Sequence, residues 1–576
     1  MVVQGLKGRA DGNGNTAGRG AAQVKIMSMT VGRYLVKCLH DAGLRHVFGV
    51  PGDYILGFYD SLHRGPLKVI GTCSEMGAGY AADAYARLNG LGAVCVTYCV
   101  GGLSVVNAVA QAYAEESPLV VISGSPGINE RVRSPFLHHR VKDFDTQVKV
   151  FREVTCCAEV IHDAATAPAQ IRHAIAMCQR HKRPVYIELP RDIPSQPIKS
   201  PALAREEPVV SNPRSLKEAL QEATSMLRAA KSPVILAGVE MHRFGLQRLL
   251  VKLVERTGYP IAATLLSKSV ISERHPQFIG IYEGAMGHER VTRKVEGADC
   301  VLCLGEFMTD INLGIYTAKL DTNRIINATS ARISIRHHHY EEVLLRDFME
   351  GLLKGPLGTR RKVIPIAQPK QRPFRPRPSR PICMRRFWAR INECLDENTI
   401  VICDVGDSLF GGADLSIHRR SEFLSPAYYT SMGFAVPAAI GAQINKRRLR
   451  PMVFVGDGAF QMTGQELSTV VRCGLNPIVF VMNNKGYTTE RLILDGPFND
   501  IHDWAYHRWP EILRAGWGCE VRTEGDLQKA LTQALAYTEA FSIINVHFAP
   551  LDHSDALDRL GKRIHSQVAK AARRKE

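Results

Sequence analysis

The sequence predicts an α/β protein made of three doubly wound, parallel-sheet domains. Apolar runs of four to seven residues, among them VYIEL, PVILAGV, DCVLCLG, RPMVFVGDG and PIVFVMNN, are rich in Val and Ile and hydrophobic at consecutive positions. Such runs fit strands covered on both faces. Amphipathic stretches of ten or more residues separate them, the alternation of a sheet wrapped by helices on both sides. Two proline-rich stretches, IELPRDIPSQPIKSPALAREEPVVSNP and PKQRPFRPRPSRP, cut the chain into three such units.

With 576 residues and 45% hydrophobic composition, each unit has enough apolar surface to bury a core. The boundaries read as a Gly-rich basic arm at 1–25, a first domain at 26–195, a second at 213–355, a Pro/Arg-rich linker at 356–381, a third domain at 382–556 and a basic tail at 557–576. The net charge of +17 lies almost wholly in flexible-looking sequence: residues 1–25, 360–381 and 562–576 carry +3, +8 and +5. A nucleic-acid partner requires a basic folded face with interleaved aromatics, and none is legible. No apolar run reaches the roughly 18 residues of a membrane helix, and no signal-peptide core follows the first charges. A cytoplasmic protein without a membrane partner is therefore expected. The 14 cysteines sit mostly in apolar runs; the CxxC of Cys300 and Cys303 lacks a second pair at zinc spacing and reads as buried strand.

The first and third domains echo each other. GYAADAYARLNGLGAVCVTYCVGGLSVVNAVAQAYAEESPLVVISG and GFAVPAAIGAQINKRRLRPMVFVGDGAFQMTGQELSTVVRCGLNPIVFVMNN both predict a small-residue helix, a strand, a glycine turn, another helix and a strand. Ligands of open α/β sheets bind beyond the carboxyl ends of strands. RPMVFVGDGAF therefore sets Asp457 at a binding edge, and PIVFVMNN delivers Asn484 to the same edge. A carboxylate, an amide oxygen and a free backbone carbonyl form a hard, oxygen-only site suited to magnesium holding a diphosphate. The second domain carries no GxGxxG after a strand, and the glycines of GNGNTAG fall in the arm, so neither NAD nor FAD is expected. His337–His339 in SIRHHHYEE read as an exposed trio.

GDG followed after 24 residues by NN resembles the thiamin diphosphate motif. Together with the paired α/β domains, residues 28–556 resemble the pyruvate, indolepyruvate and phenylpyruvate decarboxylases, a group of thiamin diphosphate enzymes. The resemblance implies that Asp457, Asn484 and the Gly486 carbonyl bind Mg2+. It sets Gly456, Gly458 and Ala459 against the diphosphate, where a side chain on either glycine would obstruct the anion; Ala459 stands where the family often has Ser. Gly433 and Tyr487 belong to the same cofactor-binding set, and Met432 in TSMGF matches the bulky residue that props the bent cofactor. Glu75 in SEMGAGYAADAYAR matches the glutamate that hydrogen-bonds the aminopyrimidine and makes its exocyclic nitrogen basic enough to deprotonate the thiazolium C2. The small-residue helix that follows suits tight packing on a partner. Because Glu75 and the diphosphate site lie on different domains, the resemblance implies a homodimer as the minimum unit, with a homotetramer expected.

Asp53 in FGVPGDYILGFYD, His138 and His139 in SPFLHHRVKDFDTQ and Glu490 in NNKGYTTERLI match, with Glu75, the family's catalytic set. After carbon dioxide leaves, a carbon is protonated and an alcohol deprotonated, and carboxylates and imidazoles divide these roles when their surroundings separate their pKa values. The implied reaction is non-oxidative decarboxylation of a 2-oxo acid to an aldehyde. Pyruvate-selective relatives narrow the pocket with an aromatic residue before the Phe of GDSxF and an Ile before the catalytic Glu. Here Leu409 precedes Phe410 and Thr489 precedes Glu490, so branched or aromatic 2-oxo acids are expected alongside pyruvate. Two rivals stand: a carboligase of the acetohydroxyacid synthase kind, which usually lacks the His pair and the GYTTE glutamate, and a non-enzymatic basic binding protein.

Overall fold

Three sheets organise the chain. The first has six parallel strands between His46 and Pro190, ordered second, first, third, fourth, sixth, fifth. The third, between Thr399 and His547, has six parallel strands in the same order. The middle sheet has seven strands; it is parallel except for its last two, Ile333–Ile335 and His338–Tyr340, which add an antiparallel edge hairpin. That hairpin departs from the wholly parallel sheet the sequence predicts. It holds His338 and His339 on an edge strand, exposed as expected, with His337 in the turn before it. Cys300 and Cys303 lie buried in the strand Cys300–Leu304.

The computed structural model describes residues 29–198, 209–357, 373–418 and 422–559. The N-terminal arm, most of the linker and the tail from residue 560 lie outside them. The described end of the linker is not a free spacer. Arg386 stacks 4.1 Å over the Phe374 ring, and the Arg377 amide donates to Glu524 at 2.8 Å, so residues 374–381 are docked on the third unit. Likewise Leu557, assigned to the tail, is buried, and Arg559 donates to the Met286 carbonyl at 2.6 Å. No helix among the described residues is long and apolar enough to cross a membrane.

The first and third units share one hydrophobic core. Ser74 caps the helix Glu75–Asn89 by accepting from the Gly77 amide, and Gly90, at φ +87°, ends it. Its Gly and Ala residues let it approach the helix Ala435–Asn445 so closely that a Cβ on Gly441 would sit 1.9 Å from the Ala81 carbonyl oxygen. The small-residue face expected to meet a partner is thus taken by the chain's own third unit. At the rim of this contact Arg87 is buried against Asp83 and Glu115 at 2.8 and 2.9 Å and donates to the Ser425 carbonyl. Glu115 accepts the Tyr428 and Tyr429 amides, and its own carbonyl accepts Arg243 from the middle unit. Arg87 and its two carboxylates are therefore matched inside the core, as burial requires.

Candidate active site

In the third sheet, Gly456 at the end of strand Arg450–Gly456 pairs with Met482 of strand Ile478–Asn483. Asp457 and Asn484, just beyond that pair, leave the sheet at one edge. Asp457 is 2% exposed; its Oδ1 accepts the Gly458 amide at 2.8 Å and its Oδ2 the Gly486 amide at 3.2 Å. Burial pushes its carboxyl up to about 6. Asn484, 7% exposed, keeps a buried Oδ1 with no hydrogen-bond donor among the described residues. A buried acceptor without a donor is costly unless something satisfies it. A Cβ on Gly456 would meet no atom within 4 Å, so the turn opens onto space. These features, a buried carboxylate, an unsatisfied amide oxygen and an open glycine turn, fit a divalent cation carrying a diphosphate.

Gly486 holds φ +144°, and a Cβ there would come 2.0 Å from the Asn499 carbonyl oxygen, which restricts the position to glycine. Gly458 differs from expectation: a Cβ on it would strike the Tyr487 ring at 2.4 Å, so within the chain a tyrosine packs over it. Ala459 is buried behind them. The turn Asn484–Gly486 is tied by Arg491, which donates to the Asn484 and Lys485 carbonyls at 3.3 and 2.9 Å and to Asp500 at 2.6 Å. Sequence reasoning misses Arg491, although it directly follows Glu490.

The segment carrying Met432 and Gly433 is fixed by Asp404, a second residue the sequence does not reveal. Asp404 accepts the Gly433 and Ala435 amides at 3.0 and 2.8 Å, and burial pushes it up to about 6. Gly433, at φ +87°, accepts Thr463 Oγ1 at 2.7 Å through its carbonyl. Met432 packs half-buried against the shared core.

In the first unit Glu75 is the first residue of its helix, and its Oε1 lies beside Gly101, 3.3 Å from where a Cβ would stand. Asp53 accepts His138 Nε2 at 2.8 Å, and the His138 ring stacks on Tyr54 at 4.8 Å. His139, at φ +65°, meets the His138 ring edge-on at 4.8 Å and buries an Nδ1 that has no partner among the described residues. Partial burial pushes the Asp53 carboxyl up, but the hydrogen bond and charge of His138 outweigh it and hold the group below its ordinary value. Asp53 and His138 are nonetheless 44% and 58% exposed. Glu490, on the helix Thr488–Ile493, is exposed as well, and no hydrogen bond among the described residues joins it to the Asp53–His pair.

The residues assigned to the substrate pocket separate. Leu409 is 0% exposed and sits with Phe410 in a hydrophobic core, because the helix Asp407–Ala413 turns both inward; neither lines open space in the chain. Thr489 does reach the turn before that helix, its Oγ1 lying 3.3 Å from a Cβ built on Gly406. Asp407 beside it is buried, pushed up to about 6, and accepts the Ser554 amide at 2.8 Å, anchoring the C-terminal segment there.

Each unit matches a family model: thiamine pyrophosphate enzyme, N-terminal TPP binding domain, over residues 29–148; central domain over 220–352; and C-terminal TPP binding domain over 404–546. The fold and the oxygen-donor edge thus belong to a thiamin diphosphate enzyme. The chain is 34% identical to indole-3-pyruvate decarboxylase of Azospirillum brasilense, covering 93% of this chain and 99% of that protein. It is 33% identical to pyruvate decarboxylase 1 of Pisum sativum, covering 93% of both chains. A probable pyruvate decarboxylase of Schizosaccharomyces pombe is 32% identical over 93% of this chain and 96% of its own. The chain belongs to the thiamin diphosphate-dependent 2-oxo acid decarboxylases.

Proposed function

We propose that this decarboxylase accepts 2-oxo acids larger than pyruvate, with branched or aromatic side chains, alongside pyruvate itself. The observation that carries this is Thr489, which stands at the Gly406 turn next to Glu490. A residue shorter than the Ile of pyruvate-selective relatives leaves room there for substrate carbon. Leu409 contributes only through the core behind that turn. Relatives named for indole-3-pyruvate and for pyruvate are equally similar to the chain, so identity favours neither.

Thiamin diphosphate, when bound, supplies the electron sink that makes loss of carbon dioxide feasible. The family resemblance supports the following parts for the residues. Asp457, Asn484 and the Gly486 carbonyl would hold Mg2+, and Gly456, Gly458, Ala459 and Tyr487 would frame the diphosphate. Glu75 would hydrogen-bond the aminopyrimidine and raise the basicity of its exocyclic nitrogen, and Met432 and Gly433 would lie against the cofactor. Asp53, His138, His139 and Glu490 move the protons that follow carbon dioxide loss. Exposed acid/base groups work poorly in open water, and exposed Val100 and Leu103 on the helix beside Glu75 mark a face to be covered. A second copy supplies that cover, so the working unit is a homodimer, with a homotetramer expected.

The test is aldehyde release from pyruvate, 2-oxoisovalerate, phenylpyruvate and indolepyruvate, compared as kcat/KM. The reading expects comparable values for pyruvate and at least one larger acid. Thr489→Ile should move the ratio toward pyruvate by about tenfold, the worth of one or two methylenes in a fitted pocket. A wild-type preference for pyruvate of about a hundredfold contradicts the reading.

A further inference from the structure

Glu466 plays no part in the assignments above, yet it is fully buried at the turn Gly464–Glu466, which ends the helix opened by Asp457. Its carboxylate crosses to the first unit. Both oxygens accept the Cys73 amide, at 3.1 and 3.2 Å, and Oε1 also accepts the Ser74 amide at 3.1 Å and Ser74 Oγ at 3.3 Å. Thr469 Oγ1 steadies Oε2 at 2.9 Å. Gly77 completes the fit: a Cβ there would stand 2.1 Å from Glu466 Oε1, so only glycine admits the carboxylate. Neighbours on the same stretch add further ties, Cys73 Sγ to the Gln465 carbonyl at 3.2 Å and Arg472 to the Gly71 carbonyl.

We infer that Glu466 is the positioning residue for Glu75, a clamp from the diphosphate-binding unit that fixes the turn from which Glu75 projects. The inference rests on the assignment of Glu75 given above and deepens it. Charge-assisted bonds from two successive backbone amides to one buried carboxylate are strong and directional. They set the helix start, and with it the Glu75 carboxylate, to the tolerance that proton transfer demands. One rigid piece of chain, residues 457–472, therefore binds the metal edge at one end and holds the first unit's glutamate turn at the other.

Glu466→Gln keeps the volume and one acceptor but turns an N–H2 toward the amides. In the apoprotein, amide hydrogen exchange of the 71–78 segment should quicken by about tenfold or more, the loss expected when such bonds go. With thiamin diphosphate and magnesium, hydrogen–deuterium exchange at the cofactor C2 should slow by about tenfold and kcat should fall with it, while KM for the 2-oxo acid stays within about threefold. Placed in a Glu75→Gln background, Glu466→Gln should slow C2 exchange no further, since a clamp acts only through what it holds. If the two losses multiply, or if folded Glu466→Gln protein keeps wild-type C2 exchange while Glu75→Gln loses it, the clamp is wrong and Glu75 keeps its role. If Glu75→Gln itself keeps wild-type C2 exchange, the assignment of Glu75 falls and the clamp falls with it.

Discussion

The first and third units are built on one strand order and pack through equivalent helices, yet their sheet edges are finished differently. In the first unit the chain leaves strand Gly92–Val96 into a crevice filled by Gln147, whose Oε1 accepts the Cys99 amide at 2.6 Å and would lie 1.9 Å from a Cβ on Gly102. In the third, Gly456 opens onto empty space and Asn484 keeps an unsatisfied oxygen. The same frame thus gives one closed edge and one ligand edge, and the side chains in the loops decide which. The burial of the candidate groups differs too: Asp457 and Asn484 of the third unit are buried, whereas Asp53 and His138 of the first lie open. Under the proposed function, the third unit would hold its ligand within a single chain, and the first would be covered by a second copy.

The sharpest way to break this contrast is at the ligand edge. Asp457→Ala should abolish aldehyde formation and remove the cofactor's effect on stability, which for the wild type at a hundred times Kd amounts to about 2.7 kcal/mol. Thermal melts with and without thiamin diphosphate and magnesium read this, and an undiminished shift in the variant would contradict the assignment. At the closed edge, Gln147→Ala should cost about 1–3 kcal/mol of apoprotein stability by stranding the Cys99 amide, while leaving the cofactor-induced shift intact. Urea titration measures it; a lost cofactor shift would mean that the two edges are not separate.

A smaller effect comes from the loop supports of the third unit. Burial raises Asp404 and Asp407 from 3.8 to about 6, so both bind a proton more tightly folded than unfolded. The stability this gives is complete below pH 3.8 and is lost as pH rises through about 6. Relative to Asp404→Asn, wild-type apoprotein should therefore lose stability across that window, as read by urea midpoints at its two ends. Parallel pH profiles would contradict a buried, raised Asp404.

Most of the frame was legible because period and composition are local signals. Consecutive apolar strands and GDG with its distant NN survive without knowledge of contacts, and Asp457 and Asn484 reach one edge because neighbouring parallel strands end together. The pairing of Asp53 and His138, far apart in sequence but joined in space, was suggested only by the family resemblance. What stayed hidden depends on contacts that no local pattern encodes. Asp404 reaches Gly433, Arg491 ties a turn behind it, and Glu466 reaches Cys73 across the two units. Leu409 is buried in the core, and GDSLF alone does not show that every residue of the helix Asp407–Ala413 is buried. The linker misled because composition reports charge, and Phe374 docks in spite of it.

The proposed homodimer requires that the first unit of one chain and the third unit of another complete one site. Mixing two inactive variants, Glu75→Gln and Asp457→Ala, by unfolding and refolding them together tests it most directly. Each mixed dimer then holds one intact Glu75 opposite one intact Asp457. Such a dimer should recover about a quarter of wild-type aldehyde formation, from half the dimers being mixed with one working site each. Recovery of none, with mixed dimers demonstrated, would contradict it.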